Sequence, residues 1–456
     1  MNWRYLLFSF VLFTLLGWLL YSHAWNSEFH WDHYHLIRSY SHHELIQVWT
    51  GNWDPDDIET AGYRPFSTYF NHVRYMIFGE NVYGHRLFLV FLSALMSALF
   101  MLIMVELSFS LREGFLAGLL YLVSPSNFYH IAWLTDGIHI FATLFSFLGI
   151  FFSLKASRSG RFHWYFLLAH LFGLIGMLSR EENTSLYLIS IIGPFFFTQM
   201  RKPLREHVQS PLFYNTIAGF VVIGVFLLCR KIFIPEALSP FAGTEAVPLI
   251  VHNFFKSLLE TVNLLALMKN SYLIVSVLMI AGLTGYGIFL GRKENMTGLL
   301  FLSLSLVISL LPSSVLYRTN LLLNPTFFAM AILSFSLVRI YRHIPGILKA
   351  IGIVAFIFVL GIMARENYLY QESLHPLSLL HANRKGEILF YWKTATIPHV
   401  RREKALTELK ALGLLENPDP SWVQFNRTIV NRLHDSPPRS PSEGRLFRPL
   451  KEPFFR

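Results

Sequence analysis

Apolar runs of about 18 residues or more recur along this chain, and that is the length an α-helix needs to cross the hydrocarbon core of a bilayer. Such spans are placed near Tyr5–Tyr21, Arg86–Leu107, Glu113–Val123, Ile131–Leu154, Trp164–Ser179, Thr184–Met200, Leu212–Phe233, Tyr272–Leu290, Gly298–Leu316, Leu321–Ile340 and Pro345–Ala364. Glu113–Val123 is short and is expected to continue through Ser124-Pro125 and end at the interface. Lipid offers no hydrogen bonds to the backbone, so each span must satisfy its own, as a helix does. The expected fold is therefore all-α, a polytopic bundle of about eleven helices with a large first outer loop and a C-terminal tail. Composition agrees, because 53% of the 456 residues are apolar and only 14% are charged, too little polar surface for a soluble domain of this length. The 43 Phe and 10 Trp suit lipid-facing helices and interfacial belts.

Residues Met1–Tyr21 carry Arg4 and then run apolar without an Ala-x-Ala-like cleavage site, which reads as a first spanning helix and not a removed signal peptide. Cys229 is the single cysteine, so an intrachain disulfide framework is excluded and the redox compartment stays open. The net charge of +10 is not a nucleic-acid footprint, because the basic residues collect in short loops between spans. Lys155, Arg158 and Arg161 share one such loop, and Arg201, Lys202 and Arg205 share another. Arg292-Lys293 and then Arg339, Arg342 and Lys349 continue the series. These alternate loops, with the N-terminus, are expected on the cytoplasmic side.

The intervening loops then face outward. The largest, 23–85, carries Glu28, Asp32, Glu44, Asp54, Asp56, Asp57, Glu59 and Glu80; a second covers 234–271. Three regions are expected: a core over 1–200, further spans over 201–364, and a polar tail over 365–456 that also lies outside. Within the tail, Arg401–Leu415 has helical spacing, whereas Asp435–Arg456 is Pro- and Arg-rich and is expected to be disordered.

Ionisable groups at the ends of spanning helices are costly unless they pair or meet water, which makes them functional candidates. The first cluster is Phe29-His30-Trp31-Asp32-His33-Tyr34. A carboxylate among aromatics at the lipid–water boundary is partly desolvated and more basic, which suits a general base; the plainer reading is an aromatic patch with an incidental acid. The second is Tyr63-Arg64-Pro65, followed by Phe78-Gly79-Glu80-Asn81-Val82-Tyr83-Gly84-His85-Arg86. Arg64 or Arg86 can hold a phosphate with paired hydrogen bonds, while Arg86 taken alone better suits a snorkelling anchor. The third is Ser179-Arg180-Glu181-Glu182-Asn183, either a self-paired structural turn or the lining of a polar cavity. Asp136 and Arg318 lie at two further expected outer helix ends. The histidines of the first loop repeat no zinc spacing and read as surface groups.

Taken in order, these motifs resemble the class C glycosyltransferase superfamily, above all its protein O-mannosyltransferase-like branch. Trp31-Asp32 matches the aromatic–acid opening of the first outer loop, and Tyr63-Arg64-Pro65 the Tyr-Arg-Pro turn. Phe78-Gly79, Asn81, Gly84 and His85 approximate the lead-in to the second helix. Pro125 and Trp133 match the third outer segment, and Ser179-Arg180-Glu181 the Ser-Lys-Glu-like turn. The ordered motifs cover residues 1–200; beyond them the likeness is one of hydrophobic architecture. The chain departs from the pattern at His33, where a second acid is common, and at Gly137, Ile138 and His139, where many relatives carry an Arg and an Asp.

The resemblance implies an inverting glycosyltransferase that takes a sugar from a polyprenyl-phosphate carrier and gives it to a hydroxyl of a protein, lipid or glycan. Asp32 would be the general base. Arg64, Asp136, Glu181, Glu182 and Arg318 would bind substrate, with Arg64 or Arg318 on the leaving phosphate. Tyr63, Pro65, His85, Arg86 and Arg180 would be structural. No cofactor is fixed by the motifs; a divalent cation is left open without support from them. Membrane lipid is the other expected partner, nucleic acid is not, and a bacterial inner membrane is the expected location. The rival readings are a transporter or flippase and a non-catalytic relative. Transporters favour internal repeats and charges at the bilayer midplane, and here the charges sit at helix ends.

Overall fold

The computed structural model describes residues 3–22, 25, 29, 33–55, 62–159, 164–199, 211–234, 246–262, 270–291, 295–315 and 319–383. Every regular element among them is helical. The first third holds α1 (Trp3–Leu20), the short α2 (His33–Leu36) and α3 (His42–Gln47), then α4 (Pro65–Phe78), α5 (Val82–Glu106), α6 (Leu111–Leu122) and α7 (Pro125–Ala132). Next come α8 (Gly137–Ser159), α9 (Trp164–Ser179), α10 (Thr184–Gln199) and α11 (Pro211–Phe233). The chain continues with α12 (Ala246–Val262), α13 (Asn270–Gly291), α14 (Met296–Val315), α15 (Leu323–His343) and α16 (Gly346–Asn383). Six of these, α5, α8, α11, α14, α15 and α16, are long and apolar enough to cross a membrane by length and composition, and the chain is an integral multi-pass membrane protein.

Polar contacts sort the loops into two ends. At one end Lys155 pairs with Glu106 at 2.7 Å, Arg339 with Glu113 at 3.1 Å, and the Asn295 amide donates to the Leu107 carbonyl at 2.8 Å. At the other, Ser67 donates to the Ser179 carbonyl, Arg74 to the Leu134 carbonyl at 2.9 Å, and Asn324 to Asn183 Oδ1 at 2.7 Å. Among the described residues, Lys155 and Arg339 thus share the first end, and the Ser179–Asn183 turn lies at the second.

Four expectations are revised by the packing. The span expected over Ile131–Leu154 is broken: α7 ends at Ala132, a 3-10 turn covers Leu134–Asp136, and α8 starts at Gly137. The helix expected to run through Ser124-Pro125 stops at Leu122, since Pro125 has no N–H to continue the ladder. Asn127 satisfies the break, its amide reaching the Leu122 carbonyl at 3.2 Å, Ser93 Oγ at 2.8 Å and Tyr21 Oη at 3.1 Å. The two segments expected as outer loops contain helices α4 and α12, and the last helix runs past Ala364 to Asn383.

Both α4 and α12 are inverted relative to a soluble helix. Ser67, Thr68, Asn71 and Arg74 of α4 are buried while Val73, Met76 and Ile77 are exposed. Likewise Asn253, Ser257 and Thr261 of α12 face inward, with Leu249, Val251, Phe255 and Leu259 outward. Burying polar stripes and exposing apolar ones is what lipid as the outer solvent favours.

Helices α8 and α9 meet at glycines. A Cβ on Gly176 would lie 2.1 Å from Ser146 Oγ and 2.9 Å from the Ala142 carbonyl oxygen. Gly176→Val is therefore expected to force the two helices apart and to cost about 1–3 kcal/mol, read as a lower Tm in detergent.

Candidate active site

The lead-in to α5 is a closed turn. Gly79 adopts φ +55°, a conformation that only glycine takes readily, and Asn81 caps α5 by accepting from the Gly84 N–H at 3.1 Å. A Cβ on Gly84 would meet Phe78 at 2.6 Å, and His85 Nε2 is 2.8 Å from the Gly79 carbonyl oxygen. His85 and Arg86 are both buried within the bundle. Arg86 is thus neither a snorkelling anchor nor an exposed phosphate ligand; this motif shapes the start of α5.

The Tyr63-Arg64-Pro65 turn is held from two sides. Pro65 opens α4 at its first turn, where a missing N–H costs nothing. The Tyr63 N–H donates to Glu181 Oε1, and the Tyr63 hydroxyl donates to the Trp49 carbonyl at 3.1 Å. The Tyr63 ring packs on Phe226 and Phe233 of α11. Arg64 lies over the Trp53 ring at 5.4 Å, and the space it folds into is kept open by Gly62, whose Cβ would come within 2.6 Å of Arg64 Nε. Guanidinium on indole is a favourable cation–π contact.

The α9–α10 turn supplies the charges. Residues Glu181–Asn183 form a 3-10 turn between two helices that are almost continuous in sequence. Thr184 and Ser185 hydroxyls donate back to the Glu181 and Glu182 carbonyls at 2.7 Å each, fixing its geometry. The two acids point to different partners. Glu181 Oε2 takes Arg230 Nε at 2.8 Å while its other oxygen holds the Tyr63 N–H, so one carboxylate ties α11 to the Tyr63-Arg64-Pro65 turn. Glu182 Oε1 is shared by Arg180 Nε at 2.8 Å and His139 Nδ1 at 3.0 Å. Within the loop Arg180 and Glu182 pair with each other, while Glu181 reaches to Arg230 and the Tyr63 N–H.

His139, on the first turn of α8, has Asp136 on its far side, with Nε2 to Oδ1 at 3.6 Å. His130 of α7 lies ring to ring with His139, centroids 4.7 Å apart, and its Nδ1 is 3.3 Å from the Asp136 carbonyl oxygen. Beneath, Asn183, Asn324 and Thr143 form a buried chain: Thr143 donates to Asn324 Oδ1 at 2.7 Å, and Asn324 to Asn183.

Electrostatics follow from this packing. Burial would raise the Glu182 pKa, but Arg180, His139 and the more distant Arg64 hold its carboxyl well below the usual carboxylate range. Burial disfavours charge on Arg180 as well, yet Glu182, Asp136 and Glu181 outweigh it and keep the guanidinium charged. Burial first, then His139 and Arg180, push the His130 imidazole well below its ordinary value, so it is neutral at pH 7.

The structure therefore brings Arg64, Asp136, Arg180, Glu181 and Glu182 to one end of α8–α11, and leaves His85 and Arg86 in the packing beneath. Asp32 and Arg318 lie outside the described residues. His33, the next residue after Asp32, accepts the Leu134 N–H at 3.0 Å and packs on Trp133. Sequence reasoning overlooked Arg230, whose signal was a cation near the end of an apolar helix, and treated His139 only as a departure. Among the described residues no group of three or more His, Cys, Asp or Glu side chains is placed to hold a metal ion.

Residues 63–229 match the profile of a family described as dolichyl-phosphate-mannose-protein mannosyltransferase. The match covers that segment and not the rest of the chain. The matched segment opens at Tyr63 and closes one residue before Arg230, so it takes in nearly the whole cluster just described. No curated protein matches the chain. Among solved structures it is similar to ArnT from Cupriavidus metallidurans bound to undecaprenyl phosphate, with 12% identity, a TM-score of 0.48, and coverage of 83% of this chain and 73% of that one. It is also similar to the oligosaccharyltransferase of Archaeoglobus fulgidus. In its apo form the values are 14% identity, a TM-score of 0.47, and coverage of 80% and 56%. For AglB from the same organism, in complex with an inhibitory peptide and a dolichol-phosphate, they are 14%, 0.48, 91% and 60%. The chain thus spans less than two thirds of the length of either archaeal protein.

Proposed function

We propose that this protein is a membrane-embedded glycosyltransferase that moves a sugar from a polyprenyl-phosphate carrier to a hydroxyl acceptor on the non-cytoplasmic face, in a bacterial inner membrane. One observation carries the reading: the segment that matches the mannosyltransferase family is the one that gathers Arg64, Asp136, Arg180 and Glu182 at one end of the bundle. A lipid-borne donor can reach a site among spanning helices from the bilayer, and its phosphate is a good leaving group once its charge is offset.

In this reading Asp32 takes the proton of the acceptor hydroxyl, with Asp136 supplementing it. Arg64 or Arg318 receives the departing phosphate, since guanidinium matches phosphate oxygens in a fork. A single displacement inverts the anomeric carbon. Glu181 acts on substrate only indirectly here, by holding the turn that bears Arg64. The mobile acceptor is a protein, lipid or glycan hydroxyl.

The test is purified protein in vesicles with a radiolabelled polyprenyl-phosphate mannose outside. Label transferred to a new lipid-, peptide- or glycan-linked product is the expected result. Label accumulating unchanged inside the vesicles would mean transport and would end the proposal.

A further inference from the structure

His139 is held in one tautomer. Glu182 is a carboxylate, so the Nδ1 at 3.0 Å must be the protonated nitrogen of a neutral imidazole, donating to Glu182 Oε1. The other nitrogen, Nε2, is then a bare lone pair. It is buried, makes no hydrogen bond, and has Asp136 Oδ1 as a neighbouring acceptor at 3.6 Å. Two acceptors facing each other across that distance in a buried pocket repel; a single proton between them would turn the contact into a charge-assisted bond.

Resting on the transfer reaction above, we propose that His139 is the resting place of the proton released in that reaction, receiving it through Asp136. The acceptor O–H bond breaks as its oxygen bonds to the anomeric carbon, and the bond from that carbon to the phosphate oxygen breaks with its electron pair on the phosphate. The proton passes to the carboxylates and then to Nε2, from which it later leaves to water. Charge supports this route. The phosphodiester donor carries one negative charge and the released phosphate approaches two, so a proton kept as imidazolium offsets the added charge within the site. Glu182 orients the ring and stabilises the imidazolium, as a carboxylate does behind any catalytic histidine. Asp136, at 18% side-chain exposure against 4% for His139, is the member nearer to solvent. His139 is a positioning and relay residue, since Asp136 stands between it and the solvent side.

The groups facing His139 are Asp136 from the 3-10 turn, Arg180 and Glu182 from the α9–α10 turn, and His130 from α7. An imidazole that must start neutral makes turnover fall as pH drops and the ring becomes protonated beforehand.

His139→Asn tests this cleanly, because the Asn amide can still donate to Glu182 and only the basic nitrogen is lost. The expected result is a kcat about a hundredfold lower, an unchanged KM for the labelled donor, and loss of the acidic limb of the kcat–pH profile. Asp136→Asn, at the more exposed position, is expected to lower kcat to a similar extent. If either variant retains wild-type kcat and the same acidic limb, the relay is wrong, even though the transfer reaction itself stands. Absence of transfer in the wild-type protein would instead overturn the function on which the relay rests.

Discussion

Asp32→Asn is expected to lower sugar transfer by about 10²- to 10⁴-fold in a protein that remains folded. The substitution is nearly isosteric, so packing changes little, but an amide cannot accept the proton of the attacking hydroxyl. The carboxylate follows Phe29-His30-Trp31 in sequence, an aromatic setting that suits a group working at the lipid–water boundary. In the proposed reading the guanidinium groups, not Asp32, hold the donor, so KM for the lipid carrier should move much less than kcat. The measurement is steady-state transfer of radiolabelled sugar, with Tm in detergent as the folding control. Full activity in a folded variant contradicts the assignment.

The second large effect is on stability. Glu182→Leu removes the carboxylate that Arg180 and His139 share, and leaves a largely buried guanidinium without its closest counter-charge. Surface ion pairs contribute little, but breaking a buried one by deleting a single partner typically costs about 3–5 kcal/mol. The variant is expected to unfold at a clearly lower Tm and to lose transfer with it. Acid should act in the same direction on the wild-type protein. The folded-state pKa of Glu182 is depressed, so its contribution is complete above the ordinary glutamate range and is lost as pH falls below it.

The spanning helices were legible because their signal is length: a run such as Leu87–Met104 has few other ways to fold. What escaped was α4 and α12. Each mixes polar and apolar residues, so neither reads as an apolar run, and their stripes are inverted, with Asn71 and Arg74, or Asn253 and Ser257, turned inward. A pattern tuned to uninterrupted hydrophobicity passes over such helices. The break at Trp133–Asp136 was hidden for another reason: the residues on both sides are mostly apolar, and the groups that satisfy it, His33 on the Leu134 N–H and Arg74 on the Leu134 carbonyl, lie far away in sequence.

Site residues divided along similar lines. Ser179-Arg180-Glu181-Glu182-Asn183 stood out because five consecutive polar residues interrupt two apolar helices. That Glu181 reaches Tyr63 while Glu182 reaches His139 depends on helix packing across more than a hundred residues in one case and about forty in the other, which local pattern does not encode. His139 sits in an apolar run, where a lone histidine more often belongs to the core. Its two carboxylate neighbours give it a different character.

The account requires that the end bearing Arg64, Asp136 and Glu182 face away from the cytosol. Cysteine labelling decides this directly, in a Cys229→Ser background free of other thiols. Thr50 is exposed beside Trp49, whose carbonyl takes the Tyr63 hydroxyl, and Arg342 is exposed at the opposite end near the Arg339–Glu113 pair. A membrane-impermeant maleimide added to intact cells should modify Thr50→Cys at once and Arg342→Cys only after permeabilisation. The reverse pattern would place the charged cluster in the cytosol and contradict the proposed use of a carrier lipid on the outer face.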